Sequence, residues 1–379
     1  MKRFLILGLV VLCASALTYA FVLSNRLDRF REERVFPLIS LDQEKLQKKL
    51  REDPPQWMSE RIRKDLLPYA SGIPSSMIDQ AFHGPRILQY KLMRFSVVNG
   101  SIICGEQEEM LHKRHFREVL RFLKTLNHYA KLPNVDFILS CEDGFVENPD
   151  LGPCFVFAKR EDLESLILVP DYLSMTGHSS LQKHIVAGNQ KFPWSRKSDK
   201  AFWRGVSSGG HLTASNWEEL PRAKLALLSL SHPQEIDASF NHITQSDPDV
   251  PELMKKHGVV TGSVEKIDHL RYKYLLDVDG NSCTFDRLYW LLLSNSLVIK
   301  QVTSNVQWYY GGLKPYTHYL PIQEDFSDLV DQISWARNHE VEVEEMAKRA
   351  TQFAEDHLSI EDLMVYMYHL IQAYSRLQV

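Results

Sequence analysis

From Tyr272 onward the chain alternates between short apolar runs that fit strands and longer amphipathic runs that fit helices. Residues 272–278 read as a strand, 279–282 as a turn, 284–294 as a helix and 297–301 as a strand. A helical turn at 307–311 and a strand at 318–322 follow, then helices over 325–338, 341–357 and 359–377. Strands separated by helices are joined in parallel through crossovers, so this order predicts an α/β fold.

The upstream half carries a similar mixture. The stretch 86–99 reads as strand material and ends in Asn99-Gly100, a hairpin signal that leads into 101–104. Residues 106–131 predict an amphipathic helix with Phe116, Val119, Leu120, Leu123 and Leu126 on one face, ended by Pro133. Strands are expected at 135–140, 155–158 and 166–169, with an acidic loop, Cys141-Glu142-Asp143-Gly144, after the first. The stretch 170–200 reads as irregular, 201–205 as a strand running into a Ser/Gly loop at 206–210, and 218–231 as a helix. Two such blocks, split near residue 195, predict two Rossmann-like domains facing a cleft. A length of 379 residues suits two domains of ordinary size. Residues 24–75 are charged and broken by Pro54, Pro55, Pro68 and Pro74, which reads as a stem with short helices at 42–51 and 56–67.

With 44 basic and 48 acidic side chains the net charge is −4, which argues against nucleic acid as a partner. A 44% hydrophobic and 24% charged composition excludes a largely disordered chain. No internal repeat points to a solenoid or propeller.

Lys2 and Arg3 precede a 20-residue apolar run over 4–23, long enough to span a bilayer. Small residues at Ala14-Ser15-Ala16 and Thr18-Tyr19-Ala20 also permit reading it as a cleaved signal peptide. An uncleaved signal anchor is the preferred reading, and either one directs the chain to or across a membrane. Cys13 follows Leu12 and is a poor lipidation site. Cys104, Cys141, Cys154 and Cys283 form no disulfide-scaffold or zinc-finger pattern.

Three stretches carry chemistry. In the first, Asp277-Val278-Asp279-Gly280-Asn281-Ser282 precedes the helix bearing Arg287. A strand, a small polar turn and a helix start suit an anion, although a solvated turn with a surface arginine is the commoner outcome of such a pattern. Asp277 and Asp279 also match a short metal-binding acidic pair, a reading ranked below turn chemistry. In the second, Arg204 and Gly205 end a strand before Val206-Ser207-Ser208-Gly209-Gly210, a loop able to hold a diphosphate but lacking Walker or dinucleotide spacing. In the third, Asp143 sits past the end of a buried strand, where a carboxylate can serve as general base. Glu142 competes for that role, and a plain turn Asp beside Gly144 is the bland alternative. The 15 histidines and the aromatic group at 308–319 read as surface and packing residues.

Taken together, the ordered elements of 272–322 (DxDGN, Arg, LLxSNSLVxK, WYYxxLKPxxHYxPI) resemble glycosyltransferase family 90, which includes Rumi-like protein O-glucosyltransferases and fungal capsule xylosyltransferases. AFWRG, VDFILSCED and LILVPDYLSM add to the resemblance, which covers roughly residues 80–379.

The resemblance implies a two-domain GT-B-like fold with C-terminal helices, to which the apolar run at 4–23 adds an N-terminal hydrophobic leader. It also implies inverting transfer of glucose or xylose from a UDP-sugar to a hydroxyl of a protein or glycan, with no obligatory metal or other cofactor. Asp143 would be the base. Arg204, Gly205, Ser207, Gly280, Asn281, Ser282, Thr284, Phe285 and Arg287 would bind the donor. Asp171, Tyr172 and Ser174 would lie on the sugar and acceptor side. Where the family's acid is commonly followed by an aromatic residue and Pro, Gly144-Phe145 follow here. The expected organisation is a leader at 1–25, a stem at 26–75, an acceptor-side domain at 76–195, a donor domain at 196–345 and helices at 346–379. The chain ends Arg376-Leu377-Gln378-Val379, so retrieval by a KDEL-like signal is not expected, and the location is either membrane-anchored through the N-terminal segment or the secretory pathway and export. A catalytically inactive member that binds sugar or nucleotide is the rival reading.

Overall fold

The computed structural model describes residues 37–104, 113–142, 144, 146 and 148–379. The expected leader, the first part of the 106–131 helix and the candidate base Asp143 lie outside the described residues. Among the described residues no helix is long and apolar enough to cross a membrane.

Helix α1 (Gln43–Arg51) begins where the Asp42 carboxylate accepts the Lys45 amide at 3.0 Å, satisfying a donor that a helix start leaves orphaned. Helices α2 (Gln56–Leu66), α3 (Ser75–Ala81) and α4 (Arg86–Gln89) follow. The last takes the front of the stretch expected as strand, because Pro85 presets the backbone ahead of it. Strands β1 (Leu92–Val98) and β2 (Ser101–Cys104) form the expected hairpin. Asn99 (φ 49°) and Gly100 (φ 76°) supply the two left-handed residues that such a tight turn demands.

Helix α5 (Arg114–Ala130) buries the predicted apolar face, and strands β3 (Val135–Ser140), β4 (Cys154–Val156), β5 (Lys159–Arg160) and β6 (Leu166–Leu168) follow. The first sheet runs β2-β1-β3-β4-β6. Strand β1 is antiparallel to both neighbours, whereas β3, β4 and β6 are parallel. This sheet is therefore mixed rather than the parallel block the sequence suggested, since a two-residue turn can only return β2 antiparallel.

The 170–200 stretch, expected to be irregular, contains helix α6 (Ser179–Lys191). Its inner face includes Ile185 and Gly188. A Cβ on Gly188 would fall 2.2 Å from Leu270 Cδ1, so close packing demands a residue that weakens the helical signal.

The chain continues through β7 (Ser198–Val206), α7 (Pro221–Ser231), β8 (Ile236–His242), α8 (Val250–Lys256), α9 (Lys266–His269), β9 (Tyr272–Asp277), α10 (Asp286–Leu292), β10 (Leu297–Gln301), β11 (Asn305–Val306) and β12 (Leu320–Ile322), and the second sheet takes β7, β8, β9, β10 and β12 from this run. Its order is β12-β10-β9-β7-β8, with every pair parallel. Strand β8 is not evident in the sequence, because Asp237, Ser239 and Asn241 interrupt its apolar positions. From β7 the chain first moves outward to β8, then back past β7 to β9. The order reverses between β7 and β9, and doubly wound sheets bind ligands outside the carboxyl ends of the strands at such a switch point.

Helices α11 (Leu329–Asn338), α12 (Glu340–His357) and α13 (Ile360–Ser375) complete the chain. A capping box between Ser359 and Asp362 starts α13. Its Tyr366 hydroxyl donates to the Leu168 carbonyl at 2.9 Å, fastening the helix to the first sheet. Strands β5 and β11 pair antiparallel, a small ladder between the two halves of the chain.

Candidate active site

A cavity of about 500 Å³ opens beyond the carboxyl ends of β7, β8 and β9, at the switch point. Gly205 and Val206 line it from β7, Asn241 from β8, and the continuous run 280–287 from the turn after β9.

That turn is held from beneath. The fully buried Asp277 accepts from the Thr284 hydroxyl at 2.5 Å and from Lys300 Nζ at 3.2 Å. Asp279 accepts from the Thr303 hydroxyl at 2.7 Å and from Asn305 Nδ2 at 2.8 Å through one oxygen, and burial pushes its carboxyl upward. The acidic pair thus anchors the turn to β10 and β11. Gly280 has no room for a side chain: a Cβ there would lie 2.8 Å from both Arg222 Nη2 and the Ser208 hydroxyl. Asn281 Oδ1 accepts the Gly209 amide at 3.0 Å, tying the second loop to the first. The amides of Cys283, Thr284 and Phe285 meet no acceptor among the described residues. Phe285 reaches this geometry at φ 43°, a strained position for a side chain. The chain thereby exposes successive N–H donors to an anion.

Arg287 lines the cavity from the first turn of α10. Its Nη2 donates to the Arg204 carbonyl at 2.6 Å, and the remaining N–H groups meet no acceptor among the described residues. Burial lowers its pKa, with Asp277 and Asp286 opposing.

Arg204 behaves differently from the sequence expectation. Its Nη2 binds Asp237 Oδ1 at 2.6 Å, and its Nη1 donates to the carbonyls of Trp203 and Asp237. The guanidinium lies over the Phe202 ring and does not line the cavity, since Asp237 on the adjacent strand captures it. Ser207 is also engaged elsewhere: its hydroxyl donates to the Thr244 carbonyl and accepts the Thr244 amide, both at 2.8 Å. Ser208 faces the cavity in its place.

The residue that the sequence reading missed is Arg222, the second residue of α7 after Pro221. Its guanidinium donates to the carbonyls of Val206, Val278 and Asp279, each at 3.0 Å, and to the Ser208 hydroxyl at 2.7 Å. It clamps the loops after β7 and β9 together. Burial, with the charge of Arg287, pushes its pKa down to about 10. In the sequence nothing separates it from a surface arginine on a helix.

Across the cavity, Tyr172 lines the wall, its ring 3.9 Å from that of His115. Asp171 and Ser174 do not line it. The buried Asp171 accepts the amides of Leu173 and Ser174 and the Ser174 hydroxyl, shaping the turn that presents Tyr172. Burial pushes its carboxyl up to about 6 against those hydrogen bonds. Glu142 forms an ion pair with Lys91 at 2.8 Å. Gly144, next in sequence to Asp143, packs against Asn281, a Cβ built on it lying 3.9 Å from Asn281 Cβ. Gly144 therefore lies beside the turn after β9.

Residues 52–379 match glycosyl transferase family 90. Protein O-glucosyltransferase 2 of Danio rerio is 28% identical over 302 residues, covering 76% of this chain and 56% of its own length. Protein O-glucosyltransferase 3 of Rattus norvegicus is 31% identical over 301 residues, covering 76% and 55%. The chain thus spans little more than half the length of these two relatives. Protein O-glucosyltransferase 1 of Homo sapiens is 24% identical over 332 residues, covering 83% and 79%. An Anabaena protein solved with UDP-glucose overlaps 51% of this chain and 53% of its own at 12% identity, and a TM-score of 0.34 gives that likeness no weight.

Proposed function

The chain belongs to glycosyl transferase family 90, and from that premise we propose that it transfers glucose from UDP-glucose to a hydroxyl of a protein acceptor, with inversion and without a metal. The observation that carries the reading is the convergence of Arg287 and the 283–285 amides on one cavity at the switch point of the second sheet. That arrangement suits a diphosphate. The names of the relatives favour glucose and a protein acceptor. Xylose as the sugar and a glycan as the acceptor are the competing outcomes. A GT-B-like arrangement, with the donor on the second sheet and the acceptor approaching from the first, belongs to the same proposal. So do a secretory location and a membrane anchor at residues 4–23.

In this mechanism Asp143 takes the proton from the acceptor hydroxyl as its oxygen attacks the anomeric carbon. Attack from the face opposite UDP inverts the centre and gives a β link from an α donor. Charge grows on the leaving diphosphate, where Arg287 and the preorganised amides stabilise it. Arg222 keeps the two loops in register, and Arg204 supports Arg287 through its carbonyl. Asp171 and Ser174 orient Tyr172 toward the sugar side. Glu142, held by Lys91, is the weaker candidate for the base.

A screen of UDP-sugars for UDP release, with and without protein acceptors, tests the reading. Acceptor-stimulated release from UDP-glucose is the expected result. Binding of UDP with no turnover of any sugar would favour the inactive, binding-only member instead.

A further inference from the structure

The hairpin turn that fixes the first sheet contains Asn99-Gly100-Ser101, the single Asn-x-Ser/Thr triplet in the chain that lacks proline at the middle position. This is the acceptor form for oligosaccharide transfer to asparagine. All three residues are exposed. Two other amides hold the turn's backbone. Asn134 Oδ1 accepts the Asn99 N–H at 2.8 Å, and Asn127 Nδ2 donates to the Gly100 carbonyl at 2.8 Å. The Asn99 side-chain amide takes part in neither bond and has no partner among the described residues.

The location gives a modification something to do. Strand β2 is the edge of the first sheet. Val98 and Ile103, 45% and 53% exposed, flank the turn with β-branched side chains in water. An exposed, apolar edge strand is a template for pairing with another chain, and folded proteins block such edges with charge, prolines, bulges or a covering group. No charged residue or proline lies between Phe95 and Cys104 to do this.

We propose that Asn99 carries an N-linked oligosaccharide that shields this edge. The proposal rests on the reading that the chain enters the secretory lumen. The co-reactant is a polyprenyl-diphosphate oligosaccharide. A bond forms between Asn99 Nδ2 and the sugar C1, the C1–O bond to the diphosphate breaks, and the lipid diphosphate leaves. The Nδ2 proton passes to a base of the transferring enzyme. Ser101, two residues on, supplies the hydroxyl of the triplet.

The full chain expressed in cultured animal cells provides the test. Peptide-N-glycosidase should increase the gel mobility of the wild type. Asn99→Gln and Ser101→Ala should run at the digested position without treatment, and Ser101→Thr should retain the shift. In size-exclusion chromatography the digested wild type and Asn99→Gln should both show a larger aggregated fraction than the glycosylated protein. A vesicle-protected wild type without an enzyme-sensitive shift, or a shift that persists in Asn99→Gln, overturns the site. Equal aggregation with and without the glycan overturns the shielding role. A chain that proteases digest outside the vesicles overturns the proposal together with the secretory reading. UDP-glucose turnover, measured on the same preparations, reports separately on the transferase reading, because Asn99 lies outside the cavity.

Discussion

Arg287 Nη2 donates to the main-chain carbonyl of Arg204 at 2.6 Å, across 83 residues of sequence. The bond locks the end of β7 to the first turn of α10 and leaves the rest of the Arg287 guanidinium facing the cavity. The two arginines therefore have different duties. One presents its charge at the cavity wall, and the other, paired with Asp237, contributes its backbone carbonyl.

Arg287→Ala should weaken UDP binding about tenfold to a hundredfold, since a charge-assisted hydrogen bond is worth roughly 1.5–3 kcal/mol. Arg287→Lys should rescue only part of this, lacking the planar two-point grip. Arg204→Ala should lower the melting temperature more than the affinity, because it removes the ion pair with Asp237 and the bonds to the Trp203 and Asp237 carbonyls. Titration calorimetry with UDP and thermal melts separate the two. Equal losses of affinity would put both guanidiniums on the ligand.

Gly280→Ala should weaken donor binding and also lower the melting temperature, because the buried Arg222 hydrogen bonds must rearrange. The added methyl meets Arg222 and Ser208 at 2.8 Å, so the clamp must open to admit it. Calorimetry on a variant with a native circular dichroism spectrum checks this. Unchanged UDP affinity would show that the clamp is dispensable.

Much of this site was legible in the sequence. The DxDGN turn, Arg287 and the hairpin at Asn99 lie where pattern and turn chemistry put them, because a strand end and a left-handed turn are local properties. Arg204, Ser207 and Arg222 were not legible in the same way. Their duties depend on partners 33, 37 and up to 57 residues away, and no local signal tells an arginine whether a neighbouring strand will bring it an aspartate or a row of carbonyls. Strand β8 and helix α6 were obscured for a related reason. Asp237 and Gly188 violate local propensity in order to satisfy contacts with Arg204 and Leu270.

Asp143→Asn should leave UDP binding intact and reduce transfer about 10²–10⁴-fold, the scale expected for loss of a general base. Glu142→Gln should retain transfer, since Glu142 is committed to Lys91. Single-turnover assays with labelled UDP-glucose give the answer. A dead Glu142→Gln beside an active Asp143→Asn would reverse the assignment.

Transfer should survive EDTA. The expectation rests on what Asp277 and Asp279 already do: Thr284 and Lys300 occupy one carboxylate, and Thr303 and Asn305 occupy an oxygen of the other. A divalent ion between them would have to displace Lys300. Activity lost on chelation and restored by manganese would assign the pair to metal instead.

His269 should make the half of the chain built on the second sheet acid-sensitive. Its ring is wedged edge-on against Phe202 and Trp290, and burial, with the charges of Arg287 and Arg204, pushes its pKa from the usual 6.5 down to about 3. The unfolded chain takes up a proton near pH 6.5 that the folded chain refuses until about pH 3. Stability is therefore full above pH 6.5 and declines as the pH falls toward 3. Between pH 7 and pH 5 the loss from this group should be on the order of 2 kcal/mol. His269→Phe keeps an aromatic ring between the same neighbours and removes the titration. Its melting temperature should fall less than that of the wild type when the buffer changes from pH 7 to pH 5. Parallel pH profiles for the two proteins would mean that His269 binds its proton equally well in both states.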